Sequence, residues 1–399
     1  MKPEKSTASS EIVAVEDRFQ LATYKKMPIV AERGEGVWLY ASDGKKYLDL
    51  YGGHAVAGTG HSHPHVVAAL QAQAGKLLFY SNLVYSEARA RAAEKLADIS
   101  PATLSKVFFC NSGTEANENA MRMARMATGR ENVISFSGGF HGRTADSISA
   151  TFLGKYREIG KPNVPGHLAA EFGNLDSVRE LADGSVAAIM LEPIQSMAGV
   201  RMAEPEFYFG LRQLCDERGI VLIYDEVQTG VGRTGEWFFA GGNCGAGVVP
   251  DVITLAKALG SGIPVGACLV SERIAKHIKE NDLGTTFGGG MMAMAAVTAT
   301  LEAIELDKML ANVKVVEAYL RDSLAAIPGI VEIKGKGFLL GVQFTAKAAE
   351  IHRALLERQI ITGTSSDPHV LRLLPPLCLQ KSEVDLFVRV LAEIGNQSG

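Results

Sequence analysis

Ile220-Val221-Leu222-Ile223-Tyr224 contains no charged side chain and closes on Asp225-Glu226. A run that is apolar at consecutive rather than alternate positions fits a strand buried on both faces, as in a parallel sheet covered by helices. Val252-Ile253-Thr254-Leu255-Ala256 repeats the pattern and closes on Lys257. A chain with two such strands is constrained to an α/β fold that brings Asp225 and Lys257 to one sheet edge. In open α/β sheets that edge, outside the carboxyl ends of the strands, is where ligands bind.

An amine and a buried carboxylate delivered together are what pyridoxal phosphate requires. The amine forms a Schiff base with the aldehyde, and the carboxylate keeps the pyridine nitrogen protonated so that the ring accepts electrons. The alternative is a solvated Lys and a strand-end Asp that never meet, since charged residues at strand ends are commonplace. The pair alone does not decide between them.

At 399 residues the chain is long enough for two domains. With 40 basic and 44 acidic residues and a net charge of -4, nothing suggests a nucleic-acid surface. Cys110, Cys215, Cys244, Cys268 and Cys378 are odd in number and scattered, which suits reduced thiols better than a disulfide framework. The first residues are polar and no later run reaches the length of a membrane span. The expectation is a soluble, cytoplasmic protein without a targeting segment.

Residues 1–18 read as a loose or helical arm. Gly36 to Tyr40 and Lys46 to Leu50 flank Ser42-Asp43-Gly44-Lys45, a β-hairpin pattern. His61, His63 and His65 alternate around Pro64; a metal site there lacks a fourth ligand nearby, so they read as turn and helix-start residues. The spacing predicts helices over 66–76 and 86–99, and then strand–turn–helix units begin. Strands are predicted at 107–110, 132–136 and 187–191, with helices at 115–127 and 205–218. Asn111-Ser112-Gly113-Thr114 opens the first of these helices; its free N–H groups and dipole suit a phosphate, and an ordinary Ser/Thr cap is the alternative. Gly138-Gly139-Phe140-His141-Gly142-Arg143 carries a ring that could stack on a planar cofactor and a guanidinium that could fork onto a carboxylate, against a core Phe and a solvated Arg. Gly230-Val231-Gly232-Arg233-Thr234-Gly235 is formally G-x-G-x-x-G, but no helix start follows, so it reads as a glycine-rich turn. Beyond residue 305 a helix at 308–326, strands at 331–333 and 338–344 around Lys334-Gly335-Lys336-Gly337, and helices at 348–358 and 382–394 read as a smaller α+β domain.

Five motifs stand in one order: Asn111-Ser112-Gly113-Thr114-Glu115-Ala116-Asn117, Phe140-His141-Gly142-Arg143, Glu192-Pro193-Ile194-Gln195, Asp225-Glu226-Val227-Gln228-Thr229-Gly230 and Ala256-Lys257. Together they resemble the class III, ornithine-aminotransferase-like, pyridoxal-phosphate aminotransferases, and the likeness runs from Tyr24 through Arg372. The resemblance implies the fold-type I architecture: a large domain at 55–305 with a mainly parallel seven-stranded sheet, and a smaller α+β domain built from 1–54 and 306–399. It implies that Lys257 carries pyridoxal 5'-phosphate and moves the proton, that Asp225 meets the ring nitrogen, and that Gln228 meets the ring hydroxyl. Phe140 and Val227 would sandwich the ring, Ser112, Gly113 and Thr114 would hold the phosphate, and Glu192 belongs to the same cofactor set. Thr286 would reach the phosphate from a neighbouring subunit, making the active unit a homodimer. Tyr24 and Arg143 match positions for a distal substrate carboxylate, Arg372 for the α-carboxylate of glutamate or 2-oxoglutarate, and His54 a pocket position that varies with donor. No metal is needed.

The implied reaction moves the ω-amine of an N-acylornithine or similar donor to 2-oxoglutarate. An amine:pyruvate transaminase or a glutamate-semialdehyde-type aminomutase is the alternative on the same fold, and a non-catalytic binding protein is a third. The sequence departs from the family at Met197, where ω-amine enzymes usually place a Glu that covers the Arg372 equivalent, and at Gly290-Met291, where Asn-Pro is frequent. Without that Glu, Arg372 is expected to stand open at rest.

Overall fold

The computed structural model describes residues 4–397. Its centre is a seven-stranded sheet in the order Lys106–Cys110, Gly266–Val270, Val252–Leu255, Val221–Asp225, Val186–Leu191, Asn132–Phe136, His167–Ala170. The last five run parallel, whereas Gly266–Val270 is antiparallel to both of its neighbours. Every residue of Val186–Leu191, Val221–Asp225 and Val252–Leu255 is buried, which is why these runs do not alternate. Side chains still leave the sheet on alternate faces. Leu222 and Tyr224 join one core with Phe207 and Leu211 of the Pro205–Arg218 helix, while Val221 and Ile223 join another with Ala120 and Met121 of the Gly113–Thr128 helix. Each fully buried aliphatic side chain contributes about 1.5–3 kcal/mol, so both helices are fixed against the strands whose ends they overhang.

The chain's two ends meet in a separate layer. Ala31–Glu35, Trp38–Ala41 and Lys46–Asp49 form an antiparallel meander, and Ile360–Ile361 adds to its edge parallel to Lys46–Asp49. A second sheet, in the order Ile330–Lys336, Leu339–Phe344, Val370–Leu373, Gly363–Thr364, is antiparallel at every recorded pairing. Here the structure differs from the pattern reading. The strand runs through Lys334-Gly335-Lys336 and pairs Lys336 with Leu339, so the turn is confined to Gly337 and Phe338. Gly335 has φ +86, and a Cβ there would sit 2.1 Å from the Leu339 carbonyl oxygen; the glycine serves close strand pairing rather than a loop.

The three histidines go to three separate carboxylates: His61 to Asp49 at 2.8 Å, His63 to Asp307 at 3.0 Å and His65 to Glu302 at 2.8 Å. They tie the start of the Pro64–Ala74 helix to the meander and to the far end of the Met291–Leu306 helix. The formal G-x-G-x-x-G is a turn, and its Arg233, 1 % exposed, donates to the Phe338 and Pro375 carbonyls, clamping the central sheet to the C-terminal layer. Among the described residues no helix is long and apolar enough to cross a membrane.

Candidate active site

Asp225 ends its strand with 4 % exposure, and its neighbours fix the carboxylate from three sides. Oδ2 accepts from Asn117 Nδ2 at 2.8 Å and from His141 Nδ1 at 2.8 Å, and Oδ1 accepts the Val227 N–H at 3.1 Å. Asn117 is held in turn: its Oδ1 accepts from Thr254 Oγ1 at 2.6 Å, and its amide also donates to the His141 carbonyl at 2.7 Å. Thr254 lies opposite Asp225 on the next strand, and Asn117 lies on the Gly113–Thr128 helix. Sequence reasoning did not assign Asn117 or Thr254. The signal available was their place in strand-end and helix-start motifs that already held polar residues.

Lys257 follows the neighbouring strand in a left-handed conformation, φ +46, which turns the chain sharply as it leaves the sheet. Burial pulls its amine below the ordinary lysine range, opposed by the negative charges of Asp225 and Glu192. Glu192 is pushed up to about 7, first by burial and also by Asp225, while His141 and the Phe140 N–H, 2.8 Å from Oε1, act the other way. A lowered amine pKa makes the neutral, nucleophilic form of a lysine easier to reach.

These groups share a cleft of about 470 Å³, lined by Ser112, Gly113, Thr114, Phe140, Arg143, Glu192, Asp225, Val227, Gln228 and Lys257. Ser112 caps the Gly113–Thr128 helix by accepting the Glu115 N–H at 3.2 Å, so the first N–H groups of a long helix open into the cleft. Gly142 at φ +143 permits the turn to press on that helix start, since a Cβ would lie 2.2 Å from Thr114 Oγ1. Thr114 Oγ1 itself pairs with Thr144 Oγ1 at 2.7 Å. Gln228 Oε1 is buried without a hydrogen-bond partner, an acceptor that an enclosed hydroxyl would satisfy. A helix N-terminus for phosphate, a buried carboxylate for a pyridinium nitrogen, an unsatisfied acceptor for a ring hydroxyl and a lysine amine for an aldehyde all fit pyridoxal 5'-phosphate.

The other expected site residues lie at or beyond the rim of this cleft. Tyr24 and His54 line a larger outer cleft of about 1300 Å³ that also includes Tyr51. Arg143 is exposed at the boundary, its guanidinium 5.6 Å from the Tyr24 ring, 5.2 Å from Tyr156 and 6.0 Å from Phe140. Thr286 is exposed and lines neither cleft of its own chain. Arg372 overturns the expectation of an open arginine, for it is 2 % exposed and already covered. Nε donates to the Thr364 carbonyl at 2.7 Å, Nη1 to Ser196 Oγ at 3.0 Å and Nη2 to Tyr51 Oη at 2.7 Å. The absence of an acid at 197 does not expose the cation, because Ser196 and Tyr51 occupy its donors.

The chain matches the class-III aminotransferase family over residues 19–394. It is 39 % identical over 392 residues to an acetylornithine aminotransferase of Methanocaldococcus jannaschii, covering 96 % of this chain and 97 % of that protein. An acetylornithine aminotransferase of Archaeoglobus fulgidus is 40 % identical over 377 residues, covering 94 % and 98 %. Among solved structures, the ornithine aminotransferase of Toxoplasma gondii ME49 superposes with a TM-score of 0.90 at 26 % identity, covering 98 % of this chain and 95 % of that one.

Proposed function

Because the chain belongs to the class-III aminotransferases and is therefore a pyridoxal-phosphate-dependent transaminase, we propose that it moves the terminal amine of N-acetylornithine, or of a closely similar N-acylornithine, to 2-oxoglutarate. The observation that carries this reading is the convergence of Lys257, the anchored Asp225 carboxylate and the Ser112–Thr114 helix start in one cleft, in a chain about 40 % identical to acetylornithine aminotransferases. When bound, the cofactor supplies an aldehyde to take up the amine and a ring to store the electron pair released when the donor's C–H bond breaks.

The protein's own groups do the rest. Lys257 Nζ, its pKa lowered by burial, takes the proton from the donor carbon and later returns one to the carbon that has received the nitrogen. Asp225, its carboxylate oriented by Asn117, His141 and the Val227 N–H, would accept the hydrogen of the ring nitrogen. Gln228 Oε1, buried without a partner, would accept from the ring hydroxyl, Phe140 and Val227 would flank the ring, and Glu192 holds the Phe140 backbone in place. Ser112, Gly113 and Thr114, at the start of the Gly113–Thr128 helix, would hold the phosphate through their N–H groups. Arg143, with Tyr24 beside it, takes the distal carboxylate of either substrate. Arg372 takes the carboxylate next to the keto group of 2-oxoglutarate, and His54 lines the approach.

The active unit in this reading is a homodimer. Thr286 is exposed beside Phe287, which is 66 % exposed and packs on Phe79 with tilted rings 5.1 Å apart; Leu78, Leu83 and Tyr85 are exposed in the same neighbourhood of the chain. An apolar strip of this kind is what a second copy covers, and it would carry Thr286 toward the partner's phosphate. The division into 55–305 and a second domain from 1–54 with 306–399 is supported by the sheet that joins Lys46–Asp49 to Ile360–Ile361. Five free cysteines suit a reducing, cytoplasmic setting.

The test is a donor panel of N-acetylornithine, N-succinylornithine, ornithine, 4-aminobutyrate and 1-phenylethylamine, each run against 2-oxoglutarate and pyruvate. N-Acetylornithine with 2-oxoglutarate is expected to give the highest kcat/KM. A preference for 1-phenylethylamine with pyruvate would replace this reading with the amine:pyruvate one. Holoprotein should be yellow and at least dimeric by light scattering; a fully active monomer would exclude the shared site.

A further inference from the structure

Arg372 is a buried cation whose hydrogen bonds all go to uncharged oxygens. Burial accordingly holds its pKa below the ordinary arginine value. A guanidinium has donors only, so Tyr51 Oη must accept from Nη2 and has its own hydrogen left to give. That hydrogen goes to His54 Nδ1, 3.0 Å away, which accepts only when the ring is neutral and carries its hydrogen on Nε2. Burial on its cleft side and the positive charges of Arg372, Lys257 and Arg143 push His54 down to about 3, which favours the neutral ring even though part of the residue is exposed. The direction of the chain Arg372–Tyr51–His54 is thereby set.

Its geometry is held by an uncommon backbone. Gly52, Gly53, His54 and Ala55 all have positive φ, at +55, +57, +73 and +62. Side-chain-bearing residues rarely hold that conformation. Asp49 maintains it by accepting the N–H groups of Tyr51 and Gly52 at 2.9 Å each through Oδ1, while Oδ2 is tied to His61 at 2.8 Å. Tyr51 and His54 line the outer cleft, so Arg372 reaches that space through the Tyr51 hydroxyl.

We infer that Tyr51 and Ser196 are a neutral, displaceable cover on Arg372. The cover satisfies the cation while a donor without a carboxylate at its reacting carbon is bound, and it yields to the carboxylate of 2-oxoglutarate in the other half-reaction. This rests on the ω-amine reading of the donor. The exchange works in one direction because a carboxylate bonded through two N–H groups of a guanidinium outcompetes neutral oxygens. An acid in the same place would instead have to be expelled against a charge–charge attraction. Tyr51 and Ser196 are therefore positioning residues that set which substrates the site alternates between.

The experiment uses the Tyr51→Phe and Ser196→Ala holoenzymes, each checked for visible cofactor absorbance and thermal unfolding. Three quantities are read: KM for N-acetylornithine, KM for 2-oxoglutarate, and the calorimetric Kd of maleate, an unreactive dicarboxylate. With one neutral partner removed, the donor's KM is expected to rise about tenfold or more, the worth of a hydrogen bond to a charged group. The 2-oxoglutarate KM and the maleate Kd should fall, because the anion no longer displaces an internal partner. An equal rise in both KM values would reduce the hydroxyls to structural supports and overturn the inference. So would a weaker maleate Kd, which would mean that they bind the carboxylate themselves. If wild-type enzyme does not accept N-acetylornithine, the donor reading fails separately, and the maleate measurement still decides the cover.

Discussion

The inner cleft around Lys257 and the cluster around Arg372, which meets the outer cleft only through Tyr51, are built in opposite ways. The inner one gathers its groups from the ends of adjacent parallel strands and one helix start, so Asp225 and Thr254 are fixed by the backbone ladder that builds the core, and Asn117 by the helix packed on it. The Arg372 cluster is assembled from distant segments: Tyr51 and Arg372 are 321 residues apart, and Ser196 and Arg372 are 176 apart. Groups set by a sheet suit chemistry that must recur at one place. Groups brought together by tertiary contacts suit recognition, where a partner has to leave and return.

That contrast can be broken most easily at Lys257. Replacing it with Ala should lower kcat by about four orders of magnitude, at the upper end of what proton transfer by a side chain supplies, while the Ser112–Thr114 helix start still retains the cofactor. A loss below tenfold in single-turnover measurements would remove Lys257 from the chemistry. Arg143→Gln probes the boundary between the clefts. Its KM for both substrates should rise about ten- to a hundredfold, the worth of a charge-assisted hydrogen bond, with kcat nearly unchanged; a matching fall in kcat would show that the outer cleft shapes the reaction itself.

The smallest expected effect lies in pH. The folded pKa of His54, about 3, lies below its ordinary 6.5. The unfolded chain therefore takes up this proton first as pH falls, and the stability contribution present above 6.5 is lost between 6.5 and 3. Across working pH the ring does not titrate, so the donor's KM should cross pH 6.5 without a break. A break there that vanishes in His54→Gln would show a charged His54 and a reversed hydrogen-bond chain.

The two clefts also differ in how far the sequence discloses them. Consecutive apolar residues ending in Asp225 and Lys257 identify buried strands and the edge they share, and Asn111-Ser112-Gly113-Thr114 marks a helix start. Strand periodicity carries that information locally. Nothing local connects Tyr51 or Ser196 to Arg372, and attention to position 197 alone led to the expectation of an uncovered arginine. The covering hydroxyls sit one residue away along the chain and across a sheet joined by both chain ends. The turn around Lys334–Gly337 misled in a milder way. Two glycines flanked by lysines look like a loop, whereas Gly335 is needed for strands to approach closely.

The parallel pairing of Ile360–Ile361 with Lys46–Asp49 fixes an order of assembly. During synthesis the hairpin at the amino end leaves the ribosome long before the strand that completes its sheet exists. The central sheet and nearly every wall of the inner cleft, which ends at Val265, are by then already translated. Late closure between distant segments is the slow, high-contact-order part of such a fold. Arg372 and the strand that closes this edge are therefore the last parts of the site to be made, and until then the hairpin's edge stands unpaired.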